Sequence, residues 1–326
     1  MGYNLNLMGE DHLSYPIKYI RDNQAAVAGE LFLLAQKHAA HDPNLEALPH
    51  DTEHYPDQAL FPYRIKGSPK SPDEIDYIAG KATADRFPQI LDKVAEAEEA
   101  TGLLKTLGEA LDSRQNVMLV TNHGEIADVA IALAGFYSHL KRRGQRASTG
   151  IVISRMVSFL GYKIGDETMP ATEVLKYLCD DLYLSFPRTD SMSNTKIPKT
   201  LVKMYNKDLR YSIGWQLTKG RHLMAVAASG TTDKPLPDDP DTVVLSRLTE
   251  GTIELLTKNA LVVPTAVWMK DGQLVFEVCD EPKQFKDGNQ AHAAMGSIVD
   301  ALNDKVVGKK FIYQPAQEPN TLENEQ

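Results

Sequence analysis

From about residue 115 onward, short apolar runs alternate with longer amphipathic stretches, the pattern of strands joined by helices. The run over 117–120 reads as a buried strand, and a helix is expected over about 125–141. Further strands are expected over 149–153, 182–186 and 222–228, with a long helix over about 196–219 between the last two. Residues 261–269 and 273–278 predict two more strands, hairpin-paired through Lys270, Asp271 and Gly272. A last helix is expected over about 290–307.

The first part of the chain patterns differently. Val27, Leu31 and Leu34 recur at helical spacing in an Ala-rich stretch, which predicts a helix over 22–41. Residues 41–70 are Pro-rich and read as irregular. Ser71, Pro72, Asp73 and Glu74 make a helix start, with a Ser cap, Pro in the first turn and two acids behind it. A second helix is expected over about 87–111. The tail from 315 to 326 is polar and acidic, and disorder is expected there. The expected fold class is therefore α/β: a mixed, largely parallel sheet covered by helices, with a smaller helical domain over 1–112. The α/β domain would span 113–314.

Composition narrows the class. In 326 residues, 42% are hydrophobic, enough for a sizeable core. The formal net charge of −9 argues against non-specific nucleic-acid binding, which needs a basic excess. Cys179 and Cys279 lie a hundred positions apart, which suggests neither a disulfide staple nor a metal site, and favours a reducing compartment. No secretory pattern opens the chain, Asn6 stands where myristoylation wants Ser or Thr, and no apolar run approaches a membrane span of ~20 residues. A soluble protein is expected, cytoplasmic or, if a transit peptide has been removed, in an organelle stroma.

The chemistry gathers at the ends of strands. His123 follows the strand over 117–120, and Asp128 falls in the first turns of the next helix. Open α/β sheets build their ligand crevices at that edge. A carboxylate there can fix an imidazole's tautomer and stabilise the imidazolium formed when the ring takes a proton. By spacing alone, Asp128 could equally serve the helix N-terminus, and His123, Glu125 and Asp128 could be metal ligands, though they match known metal spacings poorly. Two other strand ends add weight. Arg188 follows the strand over 182–186, and Ser229, Gly230, Thr231, Thr232 and Lys234 follow the strand over 222–228. Arg188 offers a fork of donors suited to phosphate, and the turn offers hydroxyls, an ammonium and backbone amides able to nest an anion. Each taken singly is also what a surface cation or a tight turn looks like.

In this arrangement Asn122, His123 and Asp128 resemble the first motif, His-(four residues)-Asp, of the glycerolipid acyltransferases. LSFPR over 184–188, LMAVAASGTTDKP over 223–235 and LVVPTAV over 261–267 are similar to that family's second, third and fourth blocks, in order. The third block is most similar to that of the soluble plastid-type glycerol-3-phosphate acyltransferases, PSGGRDRP, with Thr232 and Lys234 at the positions of its two arginines. The resemblance covers about 115–270. It implies a helical domain before an α/β catalytic domain. It also implies transfer of an acyl group from acyl carrier protein or coenzyme A to the sn-1 hydroxyl of glycerol 3-phosphate. His123 would be the general base, Asp128 its partner, and Arg188, Ser229, Gly230, Thr231, Thr232 and Lys234 the substrate-binding set. No cofactor or metal is implied beyond the acyl thioester, and the partners are that donor, glycerol 3-phosphate and transiently a membrane surface. With Thr232 in place of an arginine, another acceptor such as a lysophospholipid, or a non-catalytic binding protein on the same fold, stays open.

Three further features are marked. The apolar segment 151–161, with Arg155 at its centre, reads as a core strand or an acyl slot. Basic residues cluster at Lys141, Arg142, Arg143 and Arg146, and again at Lys196, Lys199, Lys203, Lys207 and Arg210. Either set reads as a solvated face or as a dock for an acidic carrier or an anionic membrane.

Overall fold

The elements of this computed structural model run, in chain order, β1 (Leu45–Ala47), β2 (Tyr63–Lys66), α1 (Pro72–Ala82), α2 (Phe87–Thr101), α3 (Leu103–Asp112), β3 (Asn116–Thr121), α4 (Asp128–Arg142) and β4 (Ser148–Ser154). They continue with β5 (Gly161–Ile164), β6 (Glu167–Pro170), α5 (Ala171–Leu178), β7 (Asp181–Ser185), α6 (Lys199–Leu217), β8 (His222–Ala227), β9 (Lys234–Leu236) and β10 (Asp239–Leu245). The last are α7 (Glu250–Leu256), β11 (Ala260–Trp268), β12 (Val275–Val278), β13 (Lys283–Gln284), α8 (Gly288–Lys305) and β14 (Lys310–Tyr313). The structure describes residues 44–48, 63–68, 71–83, 85–124, 128–154, 161–164, 167–185, 199–227, 233–258 and 260–315.

The large sheet has the order β1-β2-β7-β4-β8-β3-β11-β12, with β13 also on β11. Its five central strands, β7, β4, β8, β3 and β11, are parallel. β2 and β12 flank them antiparallel. The α/β expectation is met: a mixed, largely parallel sheet with helices on both faces. Side chains alternate across it. Val117, Leu119, Leu223, Ala225 and Val263 pack with α1–α5 on one face. Met118, Val120, Met224, Val226 and Val262 pack with α6–α8 on the other. The helices α1–α3 share their cluster with the sheet, through Ile75, Phe87, Leu103 and Leu107. Ile151 and Ile153 are buried in that cluster too, so the described part of the 151–161 segment is core strand. Among the described residues no helix is long and apolar enough to cross a membrane.

Several expectations are corrected. The described parts of 41–70 form two short strands, which extend the sheet beyond β7. Their side chains are too polar to signal a strand; Arg64 and Lys66 instead ion-pair with Asp181 on β7 at 3.4 and 2.9 Å. The helix expected over 87–111 breaks at Gly102, whose φ of 67° lets the chain leave α2 while its N–H still reaches the Glu98 carbonyl at 2.8 Å. Over 234–245, 250–256 and 310–313, where nothing was expected, the chain forms β9, β10, α7 and β14; β14, β10 and β9 make a second, three-stranded sheet. The helix start at Ser71 is met as a reciprocal capping box with Glu74. The hairpin turn is met as well: Asp271 and Gly272 take φ of 54° and 72°, and the Gln273 N–H reaches the Lys270 carbonyl at 2.9 Å, a type I′ turn. The helix expected over 22–41 and the tail over 316–326 lie outside the described residues.

Candidate active site

The registers align the carboxyl ends of the central strands. Thr121, the last residue of β3, faces Ala227 of β8 and Thr265 of β11. Beyond Thr121 the backbone must leave the sheet, and Asn122 takes over its edge. The Asn122 Nδ2 donates to the Val267 carbonyl at 2.7 Å, and its Oδ1 accepts from the Val267 N–H at 2.8 Å. A fully buried side-chain amide thus replaces the backbone pairing that β11 has lost.

His123 comes next, and its main chain is held at both ends by one residue. The Asp233 Oδ2 accepts from the His123 N–H at 2.9 Å, and the Asp233 N–H donates to the His123 carbonyl at 2.7 Å. The same carboxylate accepts from Asn122 Nδ2 at 3.4 Å and, through Oδ1, from the Ser246 N–H at 2.9 Å. Asp233 therefore ties three loops together, those that follow β3, β8 and β10. His123 itself is half-buried, with its Nδ1 closed off from solvent.

Asp128 opens α4 and is fully buried. Its carboxylate reaches back over Gly124, the neighbour of His123. A side-chain carbon at Gly124 would stand 3.2 Å from Asp128 Oδ2 and 3.1 Å from the Trp268 ring. Glycine at this position is what lets the carboxylate and the indole close on the loop. Trp268 is buried and meets Phe311 edge-on, at 5.0 Å between centroids. The Lys270 ammonium lies 5.5 Å over the Trp268 ring and lowers the Asp233 pKa through its charge. Lys234 stands exposed at the start of β9.

The structure thus gathers His123, Asp128 and the residue before Lys234 at one edge of the sheet. Arg188, Glu125 and the turn of Ser229, Gly230, Thr231 and Thr232 lie outside the described residues. β7, the strand that precedes Arg188 in sequence, is three strands from β3, or roughly 14 Å at ordinary strand spacing. Among the described residues no three His, Cys, Asp or Glu side chains are grouped to hold a metal ion. Sequence reasoning missed Asp233, Trp268 and Lys270, and gave Asn122 no role of its own. The available signal was a buried-type strand run followed at once by polar residues that have no local partner.

Burial pushes the Asp233 carboxyl up to about 6, against the pull of the Ser246 and His123 N–H groups, Asn122 and Lys270. The folded chain then holds this proton more tightly than the unfolded chain. The contribution is full below the ordinary Asp value of about 4 and is lost as pH rises through about 6. Compared with Asp233→Asn, the wild-type chain is expected to lose on the order of 3 kcal/mol of stability across that window. Urea unfolding of both proteins at several pH values measures the difference, and parallel pH profiles would refute it. Comparison of the chain with models of known protein families and with curated proteins finds no match.

Proposed function

We propose that the chain is an acyltransferase that moves a fatty acyl group from an acyl thioester to the sn-1 hydroxyl of glycerol 3-phosphate. The observation that carries the reading is the clamped loop: a histidine fixed through its own backbone at the carboxyl edge of a parallel sheet, with a buried aspartate folded back over the next residue, Gly124. A general base needs that fixity, because proton transfer depends on a held geometry. With Nδ1 closed off from solvent, His123 would work through Nε2. It takes the proton of the acceptor hydroxyl as the oxygen attacks the thioester carbonyl. The tetrahedral intermediate collapses, the C–S bond breaks, and the proton passes from the imidazolium to the departing thiolate. Asp128 stabilises the imidazolium while it exists. No covalent acyl-enzyme is needed, and both cysteines are poorly suited to form one: burial raises the pKa of Cys179 well above the ordinary thiol value and pushes that of Cys279 up to about 12.

Arg188 and Lys234 are the cations assigned to the acceptor phosphate, with the turn of Ser229, Gly230, Thr231 and Thr232 beside it. Lys270 adds a third cation close to Asp233, which bears on the arginine that Thr232 replaces. The donor is acyl carrier protein or coenzyme A carrying the chain. A labelled acyl thioester offered with glycerol 3-phosphate, lysophospholipids and simple alcohols tests the reading through free-thiol release and labelled product. Product with glycerol 3-phosphate supports it. Product only with a lysophospholipid moves the acceptor, and tight thioester binding without thiol release makes the protein a binding module.

A further inference from the structure

The structure points to a second functional surface, on the outer flank of α6. Most large apolar side chains in the described residues are buried, yet Tyr211 is 62% exposed and Trp215 is 58% exposed. They stand one helical turn apart on the same helix. Lys203 and Lys207 precede them at the same four-residue spacing, and Lys219 follows just past the helix end; all three are exposed. Each step of four turns about 40° around the axis, so the residues from Lys203 to Trp215 form a ribbon roughly 18 Å long on the solvent side. The opposite side of the helix is used up: Val202, Tyr205, Leu209, Ile213 and Leu217 pack into the core.

Among the described residues the lysines on this ribbon are held only by neighbours on the same helix or just past its end: Lys219 donates to Gln216 Oε1 at 2.9 Å. Neither Lys203 nor Lys207 forms an ion pair among the described residues. The other basic cluster is different: Arg142 pairs with Asp73 and Asp76 at 2.9 and 2.6 Å, and Arg143 pairs with Glu98 at 2.6 Å. Near the ribbon, Glu254 of α7 is matched by Lys258 at 2.5 Å and Arg210 at 3.9 Å, and Asp208, on α6 itself, is half-buried. Lys258 also brings its ammonium to 4.0 Å from the β-carbon position of Gly214, between Tyr211 and Trp215 in sequence. The Lys207 and Lys219 ammoniums ride over the rings of Tyr211 and Trp215, at 5.7 and 4.0 Å from the centroids. A chain of net charge −9 therefore presents one local face that is cationic and aromatic.

We propose that this flank of α6 docks the protein on an anionic lipid surface. Lysine pairs with lipid phosphate, and an indole or phenol settles at the headgroup level with its body in the apolar boundary and its polar tip in water. On contact the lysines can swing from the rings to the phosphates and uncover the aromatic faces. The face is the side of a helix, which suits a plane better than a peptide. An acidic protein partner would use the lysines but would have less use for an exposed tryptophan ringed by them. The placement is also useful. The Tyr205 hydroxyl near one end of α6 donates to Leu184 close to the carboxyl end of β7, while Leu217 at the other end accepts from Asn116 at the start of β3. The lysine end of the ribbon therefore lies toward the edge that carries His123, and a docked membrane would run alongside that edge.

The inference does not rest on the acyl-transfer reading, because docking is measured without turnover. The full chain is mixed with vesicles of phosphatidylcholine alone or of phosphatidylcholine with phosphatidylglycerol, and followed by co-sedimentation and tryptophan fluorescence. The chain has two tryptophans, and Trp268 is buried, so a vesicle-induced blue shift reports Trp215. Binding to the anionic vesicles only, weakened by added salt, is expected. Paired Lys203→Glu and Lys207→Glu should weaken partitioning on the order of tenfold or more, and Trp215→Ala should abolish the blue shift and weaken binding. The substituted side chains are exposed, so circular dichroism should match wild type. No anionic-vesicle binding, binding equal in all variants, preference for an acidic carrier protein over vesicles, or a dimer lost in Trp215→Ala would each overturn the proposal.

Discussion

His123→Ala is expected to lower acyl transfer by about 10²- to 10⁴-fold, the usual contribution of a placed general base. The loss should fall on kcat, because the imidazole acts on the proton that moves in the transition state and not on the ground-state complex. Asp128→Asn keeps the shape beside Gly124 but removes the charge that stabilises the imidazolium, so it should lose a large part of the same factor. In the double variant the losses should not multiply, since the two side chains act as one unit. Both variants should unfold in a single transition like the wild type, though Asp128→Asn will shift its midpoint because the residue is fully buried. Single-turnover thiol release with a fixed acyl thioester makes the comparison. Rates close to wild type in both variants would end the assignment of His123 as base, whatever the acceptor turns out to be.

What made that pair visible in advance was the sheet. Strands such as β3 and β8, buried from first residue to last or nearly so, leave continuous apolar runs that no surface element imitates. The type I′ turn at Asp271 and Gly272 and the capping box at Ser71 are equally local, because a few neighbouring residues determine them. The elements that escaped notice are those whose stability is not local. β2 is held by Asp181, more than a hundred positions away. β10 begins with three exposed residues and owes its place to pairing with β14 at the far end of the chain. Gly102 breaks the helix through its left-handed φ of 67°, which the helical spacing of its apolar neighbours does not reveal. The same holds at the site. His123 and Asp128 are five residues apart and could be seen together, whereas Asp233 meets His123 across 110 positions and Asn122 meets Val267 across 145. No periodicity encodes such pairs; the crossover connections of the parallel sheet bring them to one edge.

Asp233 is therefore where the largest structural effect is expected. Asp233→Ala removes the acceptor of two main-chain N–H groups, those of His123 and Ser246, and of one Asn122 donor. Each donor left unsatisfied in a buried setting costs about 1–3 kcal/mol, and Asn122 keeps its bonds to Val267, so the two main-chain donors cost about 2–6 kcal/mol, offset at pH 7 by the removal of a buried charge. That is a large share of the ~5–15 kcal/mol that holds an ordinary domain. Asp233→Asn should lose less, because one acceptor oxygen remains, but its amide cannot accept at both sides and must give up either Ser246 or His123. If it gives up His123, the backbone that aims the imidazole is freed while the imidazole itself is untouched. Acyl transfer should then fall with little change in thioester affinity, a pattern that simple destabilisation would not produce in a chain still folded at assay temperature. Urea midpoints at pH 7 with kcat and KM for the Asn variant separate the two effects. A loss below about 1 kcal/mol in Asp233→Ala at pH 4, where the wild-type carboxyl is neutral and no buried charge is relieved, would mean that water or a shifted loop satisfies these donors, and that the clamp on His123 is not rigid.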